Sequence, residues 1–292
     1  MAGITETHIA TFLTKPLRLQ EYGVDIFHAV PTKSALKKAI KKRQITVDGN
    51  IGSTATYIFG GEKIVLSIPE QTVEDTKLKL ALDILYEDDH LAAVDKPAGI
   101  KVSGNRFMTI ANALSQNLKA SSLEDVCIPQ PVHRLDYPTT GILLSGKTSS
   151  SIRALNQLFK DKKVQKTYYA VTIGKMPVSG TIDRPVDDKE STSTYDVIAS
   201  INSERFERLN LVKLQPFTGR RHQLRKHMFS LGNPILGDRD YHLEGKLLKG
   251  KGLYLHAYSV SFKHPFTEDH IVIAAPFPKK FKKLFDVDTL LG

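Results

Sequence analysis

Along this chain of 292 residues, apolar positions recur at helical spacing in few places. One is the stretch after Pro31, where Ala35, Leu36, Ala39 and Ile40 form a stripe. That spacing predicts a helix capped by Thr32 or Ser34. Ile45-Thr46-Val47 then alternates as a strand and runs into a turn at Asp48-Gly49, and Glu62 to Ile68 reads as a further strand. The segment Glu70 to Lys79 is polar and charged, which marks a linker. From about residue 80 to 285 short alternating stretches dominate and helices are few. The pattern predicts a loose tail over the first ~13 residues, a small α+β module over 15–69, and a larger α+β domain over 80–285. The larger domain is expected to carry a mostly antiparallel mixed sheet.

Charge adds a partner to this picture. Lys37, Lys38, Lys41, Lys42 and Arg43 cover the rest of the predicted helix. Lys37 with Lys41, and Lys38 with Lys42, are like-charge pairs one turn apart, each costing an isolated helix roughly 0.2–0.5 kcal/mol. An anionic partner relieves that cost. The whole chain carries a formal net charge of +10 and a sequence pI near 9.4, a surplus that suits a polyanion such as a nucleic acid. No apolar run approaches the roughly 18 residues of a membrane span. The segment Met1 to Lys15 lacks the basic-then-apolar order of a signal peptide, and Glu6 without any arginine argues against an organelle presequence. The single cysteine, Cys127, excludes an intramolecular disulfide and a cysteine-based metal cluster. A reducing, cytoplasmic setting is expected.

Three segments carry candidate chemistry. In His133-Arg134-Leu135-Asp136-Tyr137-Pro138-Thr139-Thr140-Gly141, a charged pair precedes a turn and the apolar strand Ile142 to Leu144. A carboxylate at such a turn can point into a cleft while the strand holds its backbone; an exposed Asx-type turn is the plainer alternative. Thr218-Gly219-Arg220-Arg221-His222-Gln223-Leu224-Arg225 enters a helix expected to end near Leu231, with Gly232 just past it. Arg221 and Arg225 are expected to share a helix face, and clustered cations near a helix start favour phosphates or carboxylates. His222 and His227 are five apart, so they do not form the i,i+4 pair of a helical zinc site. Lys166 to Ile173 alternates as a strand, so Tyr168 and Tyr169 face opposite sides. One is expected in the core, the other free to stack on a base or move a proton.

These blocks resemble the signature of the RluA-type RNA pseudouridine synthase family. His133-Arg134-Leu135-Asp136 and Thr139-Thr140-Gly141-Ile142-Leu143-Leu144 match its central block. Tyr86 to Leu91 and Lys96-Pro97-Ala98-Gly99 match the opening one. Lys166-x-Tyr168-x-Ala170, then Thr218-Gly219-Arg220-x-His222-Gln223-Leu224-Arg225, then Gly237-Asp238-Arg239-Asp240-Tyr241 and Leu255-His256-Ala257 follow in family order. The small module resembles the S-four-like RNA-binding domain through its lysine-rich helix, the Val47-Asp48-Gly49 turn and Gly61-Glu62-Lys63-Ile64.

The resemblance implies an enzyme that isomerises specific uridines in structured RNA, rRNA or tRNA, by way of a flipped nucleotide. It implies Asp136 as the essential carboxylate and Arg225 as its partner. Tyr168 would stack on the uracil, Leu224 would pack beneath it, and Arg134 would fill the space the nucleotide leaves. Arg220 and His222, with Lys37, Lys38 and Lys41 on the basic helix, would contact RNA. The reaction needs no redox change and no outside group donor, so no metal, nucleotide cofactor or other cofactor is expected, and the protein is expected to act as a monomer. Two other classes compete. An RNA-binding or ribosome-assembly protein with a dead catalytic fold would have lost the Asp, Arg or Tyr of the motifs, and all three are present. A base-cleaving glycosidase would leave an abasic site instead of an isomerised base.

Overall fold

The computed structural model describes residues 4–68, 78 and 80–291. The expected linker, Glu70 to Lys79, falls almost wholly outside the described residues. The chain divides into two compact units, 1–76 and 77–292.

The small unit contains β1 (Ile4–Ile9), β2 (Leu17–Arg18), α1 (Leu19–Tyr22), α2 (Lys33–Lys41), β3 (Ile45–Val47), β4 (Asn50–Ile51), β5 (Tyr57–Ile58) and β6 (Lys63–Ile68). Thr32 caps α2 by accepting from the Ala35 amide at 3.2 Å, and Leu36, Ala39 and Ile40 are buried, as their spacing predicts. At the other end Arg43 takes a left-handed φ of 57°, with its amide on the Ile40 carbonyl and that of Gln44 on Ala39. That is the Schellman ending usually given to glycine. Asp48 and Gly49, both at positive φ, form the two-residue turn between β3 and β4.

The expected loose tail is instead β1, paired antiparallel with β6 from Ile4↔Ile68 to Ile9↔Lys63. Its side chains are exposed or only half-buried, so it carries no apolar alternation to betray it. The backbone ladder holds it, helped by Glu6, which accepts from the His28 and Ala29 amides at 2.7 and 2.9 Å.

The large unit contains β7 (Asp83–Glu87), β8 (Leu91–Lys96), α3 (Ile110–Asn117), β9 (Val126–Pro131), β10 (Thr140–Thr148), α4 (Ser149–Lys160), β11 (Gln165–Ile173) and β12 (Ser179–Asp183). It continues with β13 (Thr192–Ser203), β14 (Glu207–Pro216), α5 (Gln223–Ser230), β15 (Leu255–Lys263), β16 (His270–Ala274), α6 (Lys279–Lys282) and α7 (Val287–Leu291). Among the described residues one sheet runs β12-β13-β14-β11-β15-β10-β8-β7, with β16 beside β15 and β9 beside β10. Every pairing in it is antiparallel except β10 with β15, so the fold is α+β with a mostly antiparallel mixed sheet.

Both faces of the sheet are covered where β8 and β10 lie. Ala92, Val94 and Leu143 pack with Ile110, Ala113 and Leu114 of α3. Leu91, Ala93, Ile142 and Leu144 pack on the other side with Leu155 of α4. A strand buried on two sides has no polar face, hence the unbroken apolar run after Gly141. The core also takes in Phe281, Phe285 and Val287, so it continues slightly past the expected boundary at 285.

Candidate active site

Asp136 sits in the loop between β9 and β10, which contacts from several sides hold in place. The Thr139 amide donates to the Asp136 carbonyl at 3.1 Å, and the Gly99 amide to that of Tyr137 at 2.8 Å. Beneath the loop lies Lys96, whose side chain is fully buried. Its Nζ donates to the carbonyls of Pro97 at 2.9 Å, Thr139 at 2.8 Å and, more weakly, Tyr137 at 3.4 Å. Burial pushes the Lys96 ammonium down to about 8, with the carboxylates of Asp136 and Asp95 opposing the drop. Downstream, Gly141 has φ 109°, and a Cβ there would lie 2.1 Å from the Ala257 carbonyl oxygen across the parallel β10–β15 pair. Only glycine fits. Upstream, His133 accepts from the Leu144 amide at 2.9 Å through Nε2 and stacks on Phe159 at 4.7 Å. Burial pushes its imidazole down to about 3, so it is neutral at pH 7.

Asp136 opens into a cleft of about 900 Å³ that is also lined by Arg134, Tyr168, Arg220, His222, Leu224 and Arg225. The structure thus brings together seven expected site residues from segments up to 91 positions apart, Arg134 to Arg225. Lys37, Lys38 and Lys41 belong to the small unit, where they are exposed on α2.

Each wall of the cleft has a structural origin. The register between β11 and β15 shifts between Thr167 and Tyr168, where β15 carries the extra residue, Tyr258. Successive side chains of β11 face opposite sides, so Tyr168 lines the cleft while Tyr169 enters the core. Burial, reinforced by the Asp136 charge, raises the Tyr168 phenol, which stays protonated at neutral pH. The Gln223 side chain clamps the loop before α5: it accepts from Thr218 Oγ1 at 2.6 Å and the Arg220 amide at 3.0 Å, and donates to the Thr192 carbonyl at 3.0 Å and Ser193 Oγ at 2.8 Å. Arg220 remains exposed, its Nε on the Glu190 carbonyl at 3.1 Å. Leu224 is buried along the wall.

Arg225 is 3 % exposed and meets three carboxylates. Its Nη1 lies 3.6 Å from Asp136 Oδ2. Its shorter bonds go elsewhere: Nε to Asp238 Oδ2 at 2.7 Å, and Nη2 to Asp238 Oδ1 at 2.6 Å and Asp240 Oδ2 at 2.7 Å. The expected partnership with Asp136 is therefore the looser of its contacts, because a fork has several arms and Asp238 fills two. Burial works against the guanidinium charge, and the three carboxylates more than offset it, so its pKa is raised. The Tyr241 ring lies 5.0 Å from the guanidinium carbon.

Arg221 does not share a face with Arg225. His222 adopts a left-handed φ of 56° as the N-cap, so α5 starts at Gln223 and leaves Arg221 exposed before it. His222 Nε2 is 3.8 Å from Asp136 Oδ1, and Nδ1 is 3.1 Å from the Tyr241 hydroxyl. Burial lowers its pKa; Asp136 opposes this, while Arg225 and Arg221 add to it. In the tautomer in which Tyr241 donates to Nδ1, the ring N–H sits on Nε2, the nitrogen nearer Asp136. His227 turns away, to Ser191 Oγ at 2.9 Å and the Arg184 carbonyl at 3.1 Å.

Asp238, Asp240, Tyr241, Gln223 and Lys96 take roles in the site that the sequence pattern does not disclose. A signal for Asp238 was present: a deeply buried guanidinium demands a deeply buried anion, and Gly237-Asp238 is a glycine turn in a matching block. Nothing local marks Lys96 as buried.

The site is a carboxylate flanked by a fixed guanidinium and an imidazole, with a protonated tyrosine, an apolar wall and cations along the same cleft. Comparison with known proteins gives the family of the chain. The family model described as RNA pseudouridylate synthase matches residues 90–230. The chain is similar to an uncharacterized RNA pseudouridine synthase of Aquifex aeolicus, 31% identical over 87% of this chain and 88% of that one. It is also similar to ribosomal large subunit pseudouridine synthase C of Rickettsia felis, 32% identical over 92% and 95%. Among solved structures, human RNA pseudouridylate synthase domain containing 4 superposes with a TM-score of 0.55 at 27% identity, covering 68% of this chain and 90% of that one. This chain belongs to the RluA-type RNA pseudouridine synthases, enzymes that isomerise uridine within RNA.

Proposed function

We propose that the protein converts specific uridines of structured ribosomal RNA to pseudouridine in the cytoplasm, as a monomer, with Asp136 as the essential carboxylate. The observation that carries this reading is the position of the Asp136 carboxylate, in a cleft, 3.6 Å from Arg225 Nη1 and 3.8 Å from His222 Nε2. Ribosomal RNA is favoured over transfer RNA because several relatives are named ribosomal large subunit pseudouridine synthases.

The reaction breaks the glycosidic bond, turns the uracil and rejoins it through C5, which then gives up its proton. A carboxylate serves as nucleophile or base in this sequence, and the Arg225 guanidinium stands 3.6 Å from it. A uracil inside a helix cannot reach Asp136, so the nucleotide leaves its stack. Tyr168 then stacks on the uracil and Leu224 packs beneath it. Arg134 fills the gap left in the RNA, and Arg220 and His222 hold the strand. Lys37, Lys38 and Lys41 add affinity through RNA phosphates.

The test uses ribosomal RNA labelled with tritium at C5 of uridine, because isomerisation releases that tritium to water. A glycosidase would leave the label on free uracil and an abasic site behind. Asp136→Asn is expected to stop release while RNA affinity stays within a few fold, since phosphate contacts carry affinity. Turnover by Asp136→Asn would remove the assignment.

A further inference from the structure

β14 ends at Pro216, and the next residue, Phe217, is 55% exposed. This exposure is not that of a loose chain. The Phe217 amide donates to the Thr192 carbonyl at 3.0 Å, and the following Thr218 donates through Oγ1 to Gln223 at 2.6 Å. The backbone on both sides is pinned, so the point from which the ring projects is fixed, and the exposed ring forgoes the burial that favours aromatic side chains.

Phe217 lines the cleft that holds Asp136. The same cleft is lined by Lys160, Lys162, Lys166 and Arg220, and Lys166 Nζ lies 3.5 Å from the Thr218 carbonyl. An exposed aromatic ring among cations that track a backbone is how proteins hold single-stranded nucleic acid: the ring stacks on a base and the cations meet phosphates. The cleft, at about 900 Å³, is near the upper end of the roughly 300–1,000 Å³ that encloses a whole small ligand. It has room beyond one flipped uridine. Tyr168 and Leu224 already serve the uracil in the reading above, which leaves Phe217 for a different base.

We propose that Phe217 determines sequence context: its ring stacks on the base of a nucleotide adjoining the target uridine, while Lys166 and Arg220 meet the intervening phosphates. This rests on the protein acting on RNA. Stacking grows with the area of the base, so a purine at that neighbour is preferred over a pyrimidine.

The experiment compares the full-length protein with Phe217→Ala and Phe217→Tyr. Short single-stranded RNAs carry one uridine with the fluorescent purine 2-aminopurine on its 5′ or its 3′ side, and tritium release is followed on ribosomal RNA. Stacking quenches 2-aminopurine, so wild type and Phe217→Tyr are expected to quench the probe on one side only. Phe217→Ala is expected to lose that quenching and to raise KM about tenfold, with a much smaller change in kcat, as the lower range of one stacked base implies. Quenching that survives in Phe217→Ala, or an unchanged KM, would overturn the proposal. A fall in kcat alone, shared by Phe217→Tyr, would also overturn it by placing the residue in the fold. Absence of tritium release by wild type would instead overturn the enzymatic reading itself.

Discussion

Three carboxylates share Arg225, and replacing Asp238 and Asp136 in turn measures which of these two holds it more firmly. Asp238 is buried and accepts four hydrogen bonds: two from Arg225 at 2.6 and 2.7 Å, and one each from the Asp240 and Tyr241 amides at 3.0 and 3.1 Å. Asp136 stands 3.6 Å away, beyond hydrogen-bond length, with its side chain 15% exposed and so partly screened. Short bidentate bonds between buried charges are the strong ones, and removing one partner costs about 3–5 kcal/mol. A contact that is longer and reached by water contributes about 1 kcal/mol or less. The cycle of Arg225→Met with Asp238→Asn should therefore give a coupling near 3 kcal/mol, the upper range for contacting residues. The cycle of Arg225→Met with Asp136→Asn should give roughly 1 kcal/mol or less. Urea unfolding of the six proteins at pH 7, with equal m values, reads both couplings. Asp238→Asn should also slow tritium release without touching the substrate, because Arg225 is then no longer fixed opposite Asp136. Equal couplings in the two cycles, or a larger one with Asp136, would refute the ranking of these contacts.

Gly141→Ala should destabilise the protein by about 3 kcal/mol or more, through backbone collision with Ala257 and a φ that alanine resists; an unmoved denaturation midpoint would contradict this. His133 bears on pH dependence: its folded pKa, about 3, lies below the unfolded value near 6.5. The unfolded chain thus takes up a proton that the folded one refuses, so stability is full above pH 6.5 and falls with pH by up to about 1.4 kcal/mol per unit. His133→Gln should be less stable at pH 7 yet lose about one proton from that slope between pH 6 and 4, measured by urea titrations. Changing Lys37, Lys38 and Lys41 to glutamate should weaken RNA binding and flatten its salt dependence while sparing tritium release at saturating RNA. Wild-type affinity and salt slope would mark that face of α2 as merely solvated.

Local signals in the sequence were sufficient for much of this protein. The stripe of Leu36, Ala39 and Ile40, the Asp48-Gly49 turn and the left-handed Gly232 after α5 are set by neighbours a few residues away, so they could be read directly. The ordered blocks likewise placed Asp136, Tyr168, Leu224 and Arg225 among the residues of one site. What the tertiary structure alone decided depends on partners distant in the chain. β1 exists because β6 offers it a backbone edge, and backbone hydrogen bonds leave no mark on side-chain patterning. α5 begins at Gln223 because the Gln223 side chain grips Thr218, Arg220 and β13, which turns Arg221 outward. Lys96 is buried because the carbonyls of Tyr137 and Thr139, from a loop distant in the chain, converge on it beside that of its neighbour Pro97. Arg225 had several acidic residues within reach of a long side chain, and spacing along the chain carries no information about which of them the fold brings nearest.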